Sequence, residues 1–259
     1  MIKFIASDID GTLVDDKKRL PPDFKHVIAE LDRRGVFFAV ASGRQYATLR
    51  DDFGDDIMII AENGSIAFDK GKKIFSSPMP VDDVYRILTE LEKYRGFHPI
   101  LCGEKYAYTH SLDSAAKVEV ERYYHRYKVV DDFRSVLDKD EVLKIAVYVP
   151  DGAEKAVNAI NFTERDAVPI LSGKVWLDIM KRGVSKGNAI RKIRDIYGIK
   201  REECAAFGDY MNDYEMLREC GESYAMANAY PELKKICKYE CKSNNEYGVT
   251  EKIKEIFGI

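Results

Sequence analysis

An apolar run that ends in two acids two residues apart is what most constrains this chain. Ile2 to Ala6 is short and mostly apolar, the pattern of a strand buried in a parallel sheet. Ser7-Asp8-Ile9-Asp10-Gly11-Thr12-Leu13 follows at once. Side chains alternate along a strand, so Asp8 and Asp10 are expected to converge on one spot. Gly11 then allows a sharp turn without steric cost. Open α/β sheets bind their ligands at strand ends of this kind. Two unit charges about 4 Å apart repel by roughly 4 kcal/mol at an effective dielectric near about 20. A hard divalent cation such as Mg²⁺ suits a few oxygens plus a phosphate. The pair reads as a nucleophilic carboxylate beside one that moves protons, both near a metal. A solvated acidic turn is the plainer alternative.

Other stretches repeat the theme. Pro21-Pro22-Asp23 opens a helix carrying Val27, Ile28 and Leu31 on one stripe, and Gly35 closes it. Val36 to Ala41 is a second apolar run that leads into Ser42-Gly43-Arg44, with a helix expected just after. There the Ser42 hydroxyl and the helix-start N–H groups would cradle a phosphate, or Ser42 would simply cap the helix. Arg44 reads as an exposed charge. Ile57 to Ala61 is a third strand, and Glu62-Asn63-Gly64-Ser65 a structural hairpin turn.

From Val81 the pattern changes to mixed α and β. Asp82 caps a helix with Val84, Ile87, Leu88 and Leu91 on one stripe. Strands are expected at 97–101, 106–109, 142–149, 167–171 and 175–180, with helices at 114–127 and 153–162. An insertion of this kind into an α/β chain reads as a separate small domain. Its tyrosines and Trp176 are expected to pack the core and the sheet surface.

Gly183-Val184-Ser185-Lys186-Gly187-Asn188 returns the chain to the first pattern. Ser185 caps a helix holding Ile190, Ile193 and Ile196, which Gly198 ends. A lysine in the first turn opposes the helix dipole by about a few tenths of a kcal/mol. A bound phosphate would offset that; a solvated lysine is the alternative. Cys204 to Phe207 is a further strand, followed by Gly208-Asp209-Tyr210-Met211-Asn212-Asp213. Gly208 permits a turn, Asp209 ends a strand as Asp8 does, and Asn212 and Asp213 open a helix. A loop cap with surplus acids is the competing reading. A strand at 223–226, a helix led by Pro231 and a last helix after Gly248-Val249-Thr250 complete the chain.

Asp8-Ile9-Asp10-Gly11-Thr12-Leu13, Ser42, Ser185-Lys186-Gly187 and Gly208-Asp209 through Asp213 resemble, in order, the four motifs of the haloacid dehalogenase superfamily of phosphohydrolases. The place and size of the insert resemble the large cap of its Cof-like branch, and together these cover nearly the whole chain. The tail also resembles that branch, although Ala227 stands where the family often has Gly. The resemblance implies an α/β fold: a Rossmann-like parallel sheet core at 1–80 and 182–259, with an inserted α+β cap at 81–181. It implies an aspartyl-phosphate on Asp8, with Asp10 as acid and then base. It also implies Mg²⁺ held by Asp8, the Asp10 carbonyl and Asp209, with Asp213 in support. Thr12, Ser42, Gly43, Lys186 and Asn212 would contact the substrate. The expected reaction is hydrolysis of small phosphorylated metabolites, sugar phosphates first among them. A phosphomutase or phosphotransferase would share the intermediate, and a non-catalytic phospho-accepting regulatory protein would share the acids and lysine.

Composition narrows the partners. Lys plus Arg total 41 and Asp plus Glu 44, a formal charge of −3, without the basic footprint of nucleic-acid binding. No apolar run approaches the ~20 residues of a membrane span. The amino terminus runs straight into the carboxylates, so no signal peptide is expected. Five cysteines with no paired metal spacing suit reduced thiols in the cytoplasm. The expected partners are a small phosphorylated metabolite, no nucleic acid and no membrane, for a monomer or small homo-oligomer. No glycine-rich nucleotide loop competes with this reading.

Overall fold

The computed structural model describes residues 1–160 and 167–259. In chain order the elements begin with β1 (Phe4–Ser7), α1 (Phe24–Arg33), β2 (Phe37–Ala41), α2 (Tyr46–Phe53), β3 (Met58–Ala61), β4 (Ile66–Asp69), β5 (Lys72–Ser76) and α3 (Val81–Leu91). Next come β6 (His98–Gly103), β7 (Ala107–Thr109), α4 (Ser114–Tyr123), β8 (Tyr127–Val129), α5 (Arg134–Leu137), β9 (Val142–Tyr148), α6 (Ala153–Ala159), β10 (Ala167–Leu171) and β11 (Trp176–Lys181). The chain closes with α7 (Lys186–Tyr197), β12 (Cys204–Gly208), α8 (Tyr214–Glu219), β13 (Glu222–Met226), α9 (Pro231–Lys234), β14 (Tyr239–Cys241) and α10 (Gly248–Phe257). Contacts divide these into one unit of Met1–Ser42, Phe53–Ile74 and Ser185–Ile259, and another of Gly43–Asp52 and Phe75–Val184.

In the first unit the strands run in the order β14-β13-β12-β1-β2-β3-β4-β5. The pairs from β14 to β3 are parallel, and β3 with β4 is antiparallel. β1 is wholly buried, which is why an unbroken apolar run serves it. The chain moves outward from β1 through β2 and β3, then resumes beyond it on the other side with β12. This reversal lies between β1 and β12, and such a switch point opens a crevice at the carboxyl ends of the strands. The register aligns Ser7 with Phe207 and with Val40. Asp8, Asp209 and Ser42 therefore all leave the sheet at one edge.

Helices α1 and α7 follow their patterns, whereas Asp82 does not cap α3: that helix begins at Val81 behind Pro80 and has no side-chain cap. α1 buries Phe24, Val27, Ile28 and Leu31, the expected stripe. At α7 the Ser185 hydroxyl accepts from the Asn188 N–H at 3.1 Å, and Gly198 closes the helix in the left-handed region.

In the second unit the order is β10-β11-β9-β6-β7-β8. One face packs Leu101, Ile145, Val147, Leu177 and Ile179 against α3, α5 and α6. The other packs Ile100, Cys102, Ala146, Tyr148 and Trp176 against Ala116, Val120 and Tyr124. Tyr148 and Trp176 thus pack the core, with ring centroids 5.3 Å apart.

Two further local expectations need correction, and one hairpin carries no sequence signal. The helix expected over 114–127 ends at Tyr123, because Tyr124 turns extended and residues 127–129 pair with β7 as a strand. The helix expected over 153–162 is described to Ala159; its last two positions lie outside the described residues. The hairpin β4–β5 has no alternating signal to mark it, because β5 runs from two exposed residues into three half-buried ones. Its turn is carried by Lys70 and Gly71, both at positive φ, the geometry of a tight hairpin turn.

Candidate active site

At the crevice, Lys186 is the hub. Its ammonium lies 2.5 Å from Asp8 Oδ1 and 2.7 Å from Asp213 Oδ1. All three side chains are buried, with exposures of 1%, 9% and 0%. α7 presents Lys186 from its first turn, where a lone ammonium would be disfavoured by the helix dipole; two carboxylates offset that. Burial disfavours the charge of Lys186, yet Asp213 and Asp8 outweigh it and hold the ammonium protonated.

Asp213 is a brace as well as a counter-ion. Its Oδ2 accepts from the main-chain N–H of Asp209 at 3.1 Å and of Tyr210 at 3.4 Å. This fixes the loop after β12. Gly208 makes room for it, because a Cβ there would come within 2.7 Å of Asp213. Asp209 in turn accepts from the Thr12 hydroxyl at 3.2 Å, tying the loops after β1 and β12 together.

Oxygens of Asp8, Asp209 and Asp213 lie within 4.8 Å of one another. Three carboxylates face one lysine, a surplus of negative charge that suits a divalent cation. Burial, with Asp213 and Asp209 adding, pushes Asp8 up to about 8 against the pull of Lys186. Burial, then Asp213, pushes Asp209 up to about 6, with Asp10 contributing. Carboxylates this reluctant to ionise beside one another are what a bound cation would relieve. The donor set fits a hard metal such as Mg²⁺.

Gly11 explains the closeness of the two loops. Its φ is +82°, and a Cβ there would collide with Asp209 Oδ2. Gly11→Ala is expected to displace Asp209 and cut turnover at least tenfold, while the melting temperature falls only modestly. Steady-state kinetics beside a thermal melt checks this; full activity in a folded variant contradicts it.

The remaining expected residues are placed as follows. Asp10 does not share a strand face with Asp8, because β1 ends at Ser7 and Asp10 sits in the following turn. Its carboxylate meets Lys18 Nζ at 2.6 Å and is 39% exposed. Ser42 is buried at the end of β2, donating its N–H to Ile60 and accepting from Asn63 N–H, each at 2.9 Å. It does not cap α2, which starts at Tyr46. Gly43 opens the segment 43–52 of the second unit. Asn212 is exposed in a 3₁₀ turn, and the helix begins at Tyr214 rather than at Asn212 and Asp213. Two residues were not foreseen. Lys18 pairs with Asp10 from a left-handed backbone position. Asn228 donates to the Gly11 carbonyl at 2.8 Å.

Comparison with known proteins agrees with this geometry. Residues 5–253 match the family model of haloacid dehalogenase-like hydrolases. The 5-amino-6-(5-phospho-D-ribitylamino)uracil phosphatase YbjI of Escherichia coli (strain K12) is 34% identical, over 98% of this chain and 96% of that protein. YitU of Bacillus subtilis (strain 168), which carries the same phosphatase name, is 26% identical, over 98% of this chain and 97% of its own. Among solved structures, SMU.1108c from Streptococcus mutans superposes with a TM-score of 0.89 at 28% identity, covering 100% of both chains. The subclass IIB sugar phosphatase BT4131 superposes with a TM-score of 0.81 at 25% identity, covering 99% of this chain and 100% of its own. With its motifs gathered at one crevice and its whole length matched, the chain belongs to the haloacid dehalogenase-like hydrolases, in their phosphatase branch.

Proposed function

We propose that the protein hydrolyses small phosphate monoesters through a phosphoaspartate formed on Asp8. The observation that carries this is the buried Lys186 ammonium bonded to both Asp8 and Asp213. An anion must attack an anion here, and a fixed ammonium at that point lowers the barrier electrostatically. The Asp8 carboxylate attacks phosphorus and the bond to the alcohol oxygen breaks. Asp10 gives its proton to that oxygen. Asp10 then takes a proton from the water that attacks phosphorus, so inorganic phosphate leaves and Asp8 is restored. Ser42, with Gly43 beside it in the chain, and Asn212 hold phosphate oxygens, while Thr12 keeps Asp209 in place. Asp8, Asp209 and the Asp10 carbonyl would hold Mg²⁺, with Asp213 bracing them; the ion supplies charge neutralisation at the phosphoryl group. In this reading residues 81–181 act as a cap that selects the alcohol.

Sugar and sugar-alcohol phosphates are the proposed substrates. The ribityl phosphate named for two relatives and the sugar phosphatase activity named for a third share a phosphate ester on a polyhydroxylated carbon chain. A panel of such esters, with a generic aryl phosphate and inorganic phosphate as the readout, tests the proposal. Release of phosphate supports it; isomerised sugar phosphate without release would point to a mutase. No described helix is long and apolar enough to cross a membrane. The reading places the enzyme in the cytoplasm as a monomer or small homo-oligomer.

The metal makes a pH-dependent prediction. An unfolded aspartate ionises near 3.8, whereas Asp8 near 8 and Asp209 near 6 keep protons in the metal-free fold. Between those values the folded chain binds more protons than the unfolded one, so its stability falls as pH rises. Mg²⁺ binds the ionised carboxylates, so its stabilising effect grows over the same interval. Thermal melts in chelator and in Mg²⁺ at about pH 5 and about pH 8 are expected to diverge, with the larger gap at the higher pH. Equal gaps would contradict the metal assignment.

A further inference from the structure

The sheet of the second unit buries an ion pair. Lys144 on β9 and Asp178 on β11 are 3% and 5% exposed, with Nζ 3.1 Å from Oδ2. The antiparallel register sets Lys144 opposite Met180 and Asp178 opposite Ala146, so the two share one face as diagonal neighbours. Around them that face is apolar, carrying Cys102, Ala146, Tyr148 and Trp176. Lys144 Nζ also donates to the main-chain carbonyl of Gly43, at 2.7 Å.

Such a pair stabilises a fold poorly. Burying two charges costs more solvation than their attraction commonly returns, and packed apolar residues of similar size often serve as well or better. An apolar pair could not bond the Gly43 carbonyl. A charged donor makes the stronger kind of hydrogen bond, and Asp178, 3.1 Å away, holds the ammonium in place. The peptide joining Gly43 to Arg44 is planar and trans. Fixing its carbonyl therefore also fixes the direction of the Arg44 N–H. Gly43 is itself joined to Ser42, whose own N–H and carbonyl are pinned to Ile60 and Asn63.

We propose that Lys144 and Asp178 are positioning residues: they lock the main chain after Ser42 in the orientation that binds phosphate. This rests on Ser42 and Gly43 forming the phosphate cradle. Neither residue touches the reacting atoms, so the expected loss lies in phosphate affinity more than in the chemical step.

The test is the double variant Lys144→Met with Asp178→Asn, which removes both charges at nearly unchanged side-chain size. It is expected to melt within a few degrees of the parent or above it. For an aryl phosphate its KM should rise by about tenfold with kcat changed far less, and inhibition by inorganic phosphate should weaken by the same factor. In a Ser42→Ala background the same pair of changes should add little further. A folded double variant whose KM and phosphate inhibition stay within about twofold of the parent overturns the proposal. So does a double variant that cannot fold, because the pair would then be structural. The parent enzyme is assayed first. If it releases no phosphate, or if Ser42→Ala leaves phosphate affinity untouched, the function or cradle reading fails instead of this one.

Discussion

Asp8→Asn is expected to abolish turnover of a generic aryl phosphate, by on the order of 10⁵-fold, the scale on which loss of a covalent nucleophile acts. An amide oxygen cannot attack phosphorus usefully, and no other carboxylate stands where Asp8 does. The fold is expected to survive. Asp8 is buried, and burial with the neighbouring Asp213 and Asp209 shifts it towards its neutral form in the metal-free protein. Asparagine mimics that neutral form in shape and can still accept from Lys186. Circular dichroism and a thermal melt beside the assay check both halves. A folded variant of normal activity would remove the covalent mechanism.

Lys186→Met is expected to be the most destabilising single change at the site as well as an inactivating one. It leaves the buried carboxylates of Asp8 and Asp213 facing each other and Asp209 without their cation. Removing one partner of a buried pair costs about 3–5 kcal/mol. Protonation can relieve the orphaned acids, so the loss should be largest at about pH 8 and shrink towards about pH 5. Urea unfolding at both pH values measures it. A loss under about 1 kcal/mol at the higher pH, the scale of an exposed pair, would mean that Lys186 is not the hub described above.

How far the sequence revealed this arrangement depended on the range of the interaction. Local signals were legible. The apolar run of β1, the Ser185 cap of α7 and the stripe of α1 each follow from neighbouring residues and recur in the structure. The long-range partnership was legible only through resemblance. Asp8 and Lys186 are 178 positions apart, and no periodicity relates them. Where a local rule was stretched past its element, it failed. Alternation assigned Asp8 and Asp10 to one face, but the strand ends at Ser7, and Asp10 lies in the turn that follows with its carboxylate on Lys18. Ser42 as a helix cap failed similarly, because residues 43–45 separate it from α2. Asp213 looked like a supporting acid, and its grip on two main-chain N–H groups and on Lys186 needed coordinates. Lys144 lay unremarked within an apolar strand, where its burial could not be read from type alone.

The account stands on a phosphoryl group passing through Asp8, and trapping that species tests it most directly. During turnover of a good substrate, rapid acid quench followed by borohydride reduction converts an acyl phosphate to the alcohol, and peptide mass spectrometry locates it. The account predicts modification at Asp8, absent without substrate and absent in Asp8→Asn. Phosphate released at full rate with Asp8 unmodified at every time point, or modification at another residue, would contradict it.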